Sequence, residues 1–163
     1  MKVHVVTDYA NSMPKDIKFT RHNINDITVA KKLFKIETNQ IYVFDKGYYD
    51  FKWWSDIDKA NSIFVTRLKK NSPRNNIKIL NESFSDTNII SDKTINLSKR
   101  LKHSRNHPYK KRLREVVVKG ENNKILYLVT NDMISDPEKI AKLYKARWSI
   151  ELSFKWIKKI INN

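Results

Sequence analysis

The sequence predicts a mixed α/β domain with a β-containing insertion before its last helix. The chain has 163 residues, of which 40% are hydrophobic and 11% aromatic, enough to build one core. Short runs of β-branched and aromatic residues, typical of strands, alternate with stretches whose apolar residues recur at helical spacing. A polar stretch rich in Asn, Ser and Lys separates the last strand and helix from the rest. The predicted order is therefore β-β-α-β-α-β, an insertion, and β-α.

The first elements follow from local patterns. Alternating apolar and polar residues on either side of the turn residues "ANSMP" predict a hairpin. Helical spacing after Asn25 or Asp26, either of which could cap, predicts the first helix. The run "IYVF" predicts a short buried strand. In chain order the predicted elements are strands 2–8 and 15–22, a helix over 23–36, strand 41–44, a helix over about 50–59, and strand 61–68.

The second half contains the insertion and the longest helix. The polar stretch holds short apolar pieces, "IKIL" and "REVVVK", which predict strands and not a second full domain. "KILYLVTND" predicts a strand over 124–132, and a helix over about 136–161 follows, with Pro137 suited to its first turn. The predicted organisation is 1–69 as the first part of the core, 70–123 as a basic β-rich insertion, and 124–163 as the last strand and helix.

The charge balance predicts a polyanionic partner. Thirty-three Lys and Arg residues against 17 Asp and Glu give a formal net charge of +16, which favours nucleic acid or an anionic membrane surface. No apolar run approaches the ~18–20 residues of a spanning helix, so we expect no membrane partner. The absence of cysteine excludes disulfides and fits a reducing cytoplasm. With only two glycines, a glycine-rich phosphate loop is excluded.

Two acids in unusual places suggest a metal site. Asp45 ends the short strand 41–44, beside a turn. In the last helix Tyr144, Arg147, Glu151 and Lys158 fall within an arc of about 60°, next to the apolar face. An inward Glu is costly unless it is paired or bound to a cation. An Arg147–Glu151 pair would satisfy it, as would a divalent ion such as Mg²⁺ shared with Asp45 and phosphate oxygens.

These residues resemble bacterial insertion-sequence DDE transposases. Tyr144, Arg147, Glu151 and Lys158 match that family's Y-(2)-R-(3)-E-(6)-K signature, and "DKGY" from Asp45 resembles its D-R-G-Y motif. "KVHVVTDYANSMP" and "FVTRLKKN" resemble the hairpin before that motif and the strand after it.

The resemblance implies an RNase H-like fold in which three acids hold two Mg²⁺ (or Mn²⁺) ions for phosphoryl transfer on transposon ends. By motif position Asp45 is the second acid and Glu151 the third. Arg147 would contact a phosphate, and Tyr144 and Lys158 would position the DNA strand end.

The match breaks at the first acid. In the family this acid lies on a strand before the opening hairpin, which predicts an incomplete first strand here and an unpaired sheet edge. Asp8 also ends a strand and is an alternative ligand, whereas a capping role suffices for Asp26. We therefore expect a truncated transposase that is inactive or nearly so alone.

The further DNA-contact candidates are basic residues. Nine Lys and Arg residues with a single acid occur over 97–119, a composition that favours phosphate contact over a merely solvated loop. His103 and His107 lack nearby acids for a metal pair, and Trp53 and Trp54 are assigned to the core. The single residues assigned to DNA contact are Lys46, Arg67, Lys110, Lys111 and Arg112.

The expected function is DNA transposition in the bacterial cytoplasm, associated with the nucleoid. The expected partners are double-stranded DNA, as transposon ends and target, and a second chain in a homodimer or in a pair with full-length transposase. Two alternatives stay open: a non-catalytic DNA-binding or inhibitory remnant, and an RNase H-like nuclease that uses Asp8.

Overall fold

The opening hairpin forms as predicted. The structure is a computed structural model that describes residues 2–8, 10, 14–81, 84, 87–97 and 108–161. Strand β1 (Lys2–Thr7) pairs antiparallel with β2 (Pro14–Thr20) in a two-stranded sheet of its own. His4 is buried between the strands, where its Nε2 lies 2.8 Å from the Thr20 hydroxyl.

A mixed six-stranded sheet forms the centre of the molecule and confirms the α/β class. Its strands are β3 (Ile41–Val43), β4 (Ile63–Arg67), β5 (Arg74–Asn81), β6 (Ile89–Leu97), β7 (Leu113–Lys119) and β8 (Ile125–Thr130). Their spatial order is β3-β4-β8-β7-β6-β5, and only β3 and β4 run parallel. The strands of the predicted insertion thus extend the same sheet as the core strands, and the division at 70–123 stays a prediction.

In the part of the chain that the structure describes, three α-helices accompany the sheet. They are α1 (Asp26–Leu33), α2 (Phe51–Lys59) and α3 (Pro137–Ile161). Helix α1 is shorter than the predicted 23–36, because Asn25 occupies the N-cap position and Phe34 is already extended. Asp50 caps α2 by accepting a hydrogen bond from the Trp53 amide at 2.8 Å.

Two hydrophobic clusters hold these elements together. The larger one is built around fully buried Trp54, Ile57 and Phe64 and includes Trp53, which confirms the core assignment of both tryptophans. The second packs α3 on the sheet through Ile140 and Tyr144; its buried strand residues are Val65, Ile89, Val116, Val118 and Leu128. Because Ile140 and Tyr144 lie four residues apart, one face of α3 is fixed against the sheet.

A buried ion pair fixes the loop that leads into α3. Asp92 of β6 and Arg114 of β7, 0% and 3% exposed, pair diagonally across the two strands, and Arg114 donates two hydrogen bonds of 2.7 Å to the Asp92 carboxylate. Arg114 also donates to the Ser135 carbonyl at 2.6 Å. In the same loop Asp132 accepts hydrogen bonds from the amides of Ile134 and Ser135, both at 2.9 Å. The start of the helix is therefore tied to the middle of the sheet.

Candidate functional site

Asp45 lies where β3 leaves the sheet. The Phe44 amide still donates to Val65 of β4 at 3.1 Å, and the chain then turns through a 3₁₀ helix, Lys46–Tyr48. The Asp45 carboxylate caps this turn by accepting a hydrogen bond from the Gly47 amide at 3.1 Å. The carboxylate is thereby held at the carboxyl end of the parallel pair β3 and β4, at one edge of the sheet, and its side chain is 35% exposed.

Helix α3 carries the predicted site residues Arg147 and Glu151 one and two turns beyond its packed face. Tyr144 is buried, with 2% of its surface exposed. Arg147 and Glu151 follow at the i+3 and i+7 positions, so they extend the same helix face. The Arg147 guanidinium lies over the Tyr144 ring, 5.1 Å from its centroid, and its side chain is only 11% exposed.

The Arg147 guanidinium joins the two predicted acids. Its Nη2 lies 3.6 Å from Asp45 Oδ2, and its Nη1 is hydrogen-bonded to Glu151. The Arg147–Glu151 ion pair, which the sequence left open as an alternative to a shared divalent ion, is therefore present. The same guanidinium also lies close to Asp45. The prediction that Glu151 lies against or beside the apolar face, and not in water, is wrong, since its side chain is 48% exposed.

Asp45 and Glu151 supply part of the ligand set that a hard divalent cation needs. Asp45 and Glu151 offer carboxylate oxygens, the ligands that Mg²⁺ prefers, and a positive group already lies between them. Among the described residues no group of three His, Cys, Asp or Glu side chains could hold a metal ion. The two acids fit a site that is completed by water and phosphate oxygens. Asp8 is exposed and accepts a hydrogen bond from the Ala10 amide at 2.9 Å.

Two residues without a predicted site role lie beside the two acids. Burial is the largest cause of a rise in the pKa of the half-buried Tyr48 phenol to about 12; the charges of Asp26, Asp45 and Glu151 add to that rise, and Arg147 opposes it. The expected cap at Asp26 is wrong, because Asn25 is the N-cap and the Asp26 carboxylate pairs with Lys2 at 3.0 Å. Tyr48 could have been found from the sequence, because it is the tyrosine of "DKGY". Asp26 could not, because its contact joins residues that are far apart in the sequence.

Basic residues border the two acids. Lys46 follows Asp45 directly and is exposed. Arg67 is partly buried at the end of β4. Burial raises the pKa of Tyr144, and the positive charges of Arg147 and Arg67 lower it. Lys69 lies 5.0 Å from the centroid of the Tyr49 ring.

The other predicted basic contacts lie elsewhere or are not described. Lys110, Lys111 and Arg112 are exposed, and Lys111 pairs with Asp58 of α2 at 2.5 Å. Residues 98–107, with His103 and His107, lie outside the described residues, as does the Lys158 side chain.

Comparison with known proteins supplies independent findings. The family model described as "Transposase DDE domain" matches residues 1–162. A protein of Sinorhizobium fredii (strain NBRC 101917 / NGR234) named "Putative transposase y4zB" is 36% identical over 97% of this chain and 44% of its own length. "Probable transposase for insertion sequence element IS5377" of Geobacillus stearothermophilus is 28% identical over 99% of this chain and 41% of its own. The chain thus spans less than half the length of these relatives.

No solved structure matches the chain. No helix in the described part of the chain is long and apolar enough to cross a membrane.

Proposed function

The chain belongs to the transposase DDE domain family, and we propose that it supplies the DNA-binding and metal-dependent phosphoryl-transfer site of an insertion-sequence transposase. Membership of this family implies use of a divalent metal ion and suggests DNA binding. The observation that carries the proposal is the Arg147 guanidinium shared by Asp45 and Glu151. It brings an acid from a strand end and an acid from a helix 106 positions later in the sequence to one cationic group.

In this proposal Asp45 and Glu151 hold the metal ion, with Mg²⁺ or Mn²⁺ as the candidates and two ions in the complete site. A metal ion held by these acids would activate a water or a DNA 3′-hydroxyl and would stabilise the leaving oxygen. Arg147 has two roles. Its positive charge offsets part of the negative charge of the two carboxylates, and its planar guanidinium is suited to bind a DNA phosphate. The Tyr144 ring packs against the Arg147 guanidinium and so supports its position beside the two acids.

The basic residues around the acids guide double-stranded DNA into place. Lys46 and Arg67 border Asp45 and Tyr144, so they contact the phosphates nearest the cut. Lys110, Lys111 and Arg112 form a separate exposed cluster that we assign to more distant phosphates, as we assign Lys158 to the strand end. The DNA includes transposon ends and target, and a second transposase chain is the proposed protein partner.

The test is Mn²⁺-dependent cleavage of supercoiled plasmid by the purified chain and by Glu151→Gln. Glu138→Gln is the matched control, because Glu138 is exposed on the first turn of the same helix. Cleavage that Glu151→Gln removes and Glu138→Gln preserves supports the enzyme. Equal cleavage by all three proteins contradicts the role of Glu151.

A second candidate function is DNA binding without cleavage. The net charge of +16 favours it, because electrostatic attraction to phosphates needs no metal ion. Salt-sensitive binding of a DNA duplex, with no cleavage in Mg²⁺ or Mn²⁺, would support this candidate over the first. A third possibility from the sequence, a nuclease that uses Asp8, predicts that Asp8→Ala abolishes cleavage.

A further inference from the structure

Gly47, in the turn that follows Asp45, is packed against the carboxylate of Asp26 from the start of α1. A methyl group added at Gly47 would lie 3.1 Å from Asp26 Oδ2, closer than such groups normally approach. None of the described glycines has a positive φ, so Gly47 is not needed for an unusual backbone conformation. The lack of a side chain here instead allows the acid to lie directly against the turn.

The Asp26 carboxylate is itself held in place from the opening hairpin. Its Oδ1 lies 3.0 Å from Lys2 Nζ, and the same ammonium donates to the Ile24 carbonyl at 3.0 Å. Lys2 belongs to β1, which is in a different sheet from β3 and β4. A chain of contacts therefore runs from the hairpin through Lys2 and Asp26 to Gly47, and from the Gly47 amide to Asp45 at 3.1 Å.

We propose that Asp26 is a positioning residue for Asp45, acting through Gly47, and that the hairpin thereby helps to set the geometry of the metal-binding acids. This inference rests on the proposed function. The Gly47 amide donates to Asp45 Oδ1, so the position of Gly47 sets the direction of that carboxylate. The charges of Asp26, Asp45 and Glu151 all raise the pKa of Tyr48, which agrees with their lying around one side chain.

The simpler role for Asp26 is that of an acid in the first turn of a helix, where it interacts favourably with the helix dipole. That role affects the stability of the fold and not the binding of a metal ion. The two roles are therefore separated by measuring thermal unfolding and Mn²⁺ affinity on the same variants.

The experiment is a double-mutant cycle of Gly47→Ala and Asp26→Ala in the full chain. Mn²⁺ binding is measured from the electron paramagnetic resonance signal of the free ion, with a DNA duplex present. Asp56→Ala is the matched control, because Asp56 and Asp26 side chains are 35% and 34% exposed and each pairs with a lysine, at 3.2 and 3.0 Å.

We expect Gly47→Ala and Asp26→Ala each to weaken Mn²⁺ binding by about tenfold, the lower end of the losses found for other groups that orient metal ligands. Once Asp26 is Ala, adding Gly47→Ala should cost nothing further, because the group that it displaces is gone. Asp56→Ala should bind Mn²⁺ as the unmodified chain does. If Gly47→Ala fails to fold, the variant Asp26→Asn is measured in its place. This variant keeps the size of the side chain and should weaken Mn²⁺ binding with little change in the unfolding temperature.

Unchanged Mn²⁺ affinity in the folded Asp26 variants, with Glu151→Gln still weakening it, would overturn the inference and leave the proposed function standing. Independent, additive losses from Gly47→Ala and Asp26→Ala would also overturn it. If Glu151→Gln too leaves Mn²⁺ binding unchanged, the proposed function itself fails.

Discussion

Replacing Arg147 should strengthen metal binding while weakening DNA binding. The guanidinium lies between Asp45 and Glu151, so it competes with a divalent cation for the same two carboxylates. Arg147→Gln removes the positive charge and keeps a polar side chain that can still lie over Tyr144. We therefore expect Mn²⁺ to bind this variant more tightly, although Arg147 belongs to the proposed site.

The size of the gain follows from the distances and the exposure. At 3.6 Å and an effective dielectric constant of about 20, Coulomb's law gives a gross attraction of about 4–5 kcal/mol between Arg147 and Asp45. The Asp45 and Glu151 side chains are 35% and 48% exposed, and solvent reduces pairs of this kind to about 0.2–1 kcal/mol. A competition of about 1 kcal/mol corresponds to about fivefold in the dissociation constant for Mn²⁺.

The assay is a titration with Mn²⁺ in the absence of DNA, followed by electron paramagnetic resonance of the free ion. Arg147→Lys keeps the charge and is the control, so its affinity should stay near that of the unmodified chain. DNA affinity, measured by fluorescence anisotropy, should fall in Arg147→Gln. Weaker Mn²⁺ binding in Arg147→Gln, comparable to that of Glu151→Gln, would refute the argument that the guanidinium competes with the metal.

Three further predictions concern stability, pH and salt. Asp92→Ala should destabilise the fold by about 3–5 kcal/mol in urea unfolding, because it leaves Arg114 buried and unpaired; a loss under about 1 kcal/mol would contradict this. Burial raises the pKa of Asp132, but hydrogen bonds from Ser135 and neighbouring groups outweigh it and lower the pKa below 3.8. The stability that the ionised Asp132 carboxylate contributes is therefore fully present above pH 3.8 and is lost as the pH falls through the lowered pKa. Asp132→Asn should make the free energy of unfolding less dependent on pH in that acid range. Lys46→Ala should reduce the slope of log affinity against log salt by about 0.9 if it contacts one phosphate of duplex DNA, and an unchanged slope would exclude that contact.

The sequence predicted elements well where the pattern is local. The hairpin, the short strand before Asp45 and the last helix all form, because alternation and helical spacing report directly on which face is buried. The first helix was predicted too long, because Phe34 and Ile36 satisfy helical spacing but pack on the core from an extended segment. Tertiary packing overrides local preference there.

The site shows the same division between local and long-range information. Tyr144, Arg147 and Glu151 could be grouped from their spacing on one helix. The exposure of Glu151 could not, because it depends on which part of α3 covers the sheet. The contact of Asp26 with Gly47 joins the start of α1 to the turn after β3, which no periodic pattern connects, and only the folded chain reveals it.

Charge balance explains why one guanidinium lies between the two acids. Asp45 and Glu151 repel each other if brought together alone, and Arg147 reduces their combined charge from −2 to −1. A divalent cation between the same acids would cancel both charges, and the guanidinium would then gain more from a DNA phosphate than from the neutralised carboxylates. The proposed site therefore couples the two ligands: metal binding releases Arg147 for DNA, and a phosphate that engages Arg147 leaves both acids free for the metal. By linkage each ligand must then raise the affinity for the other by the same factor, so Mn²⁺ should tighten DNA binding in the unmodified chain and do so much less in Arg147→Gln.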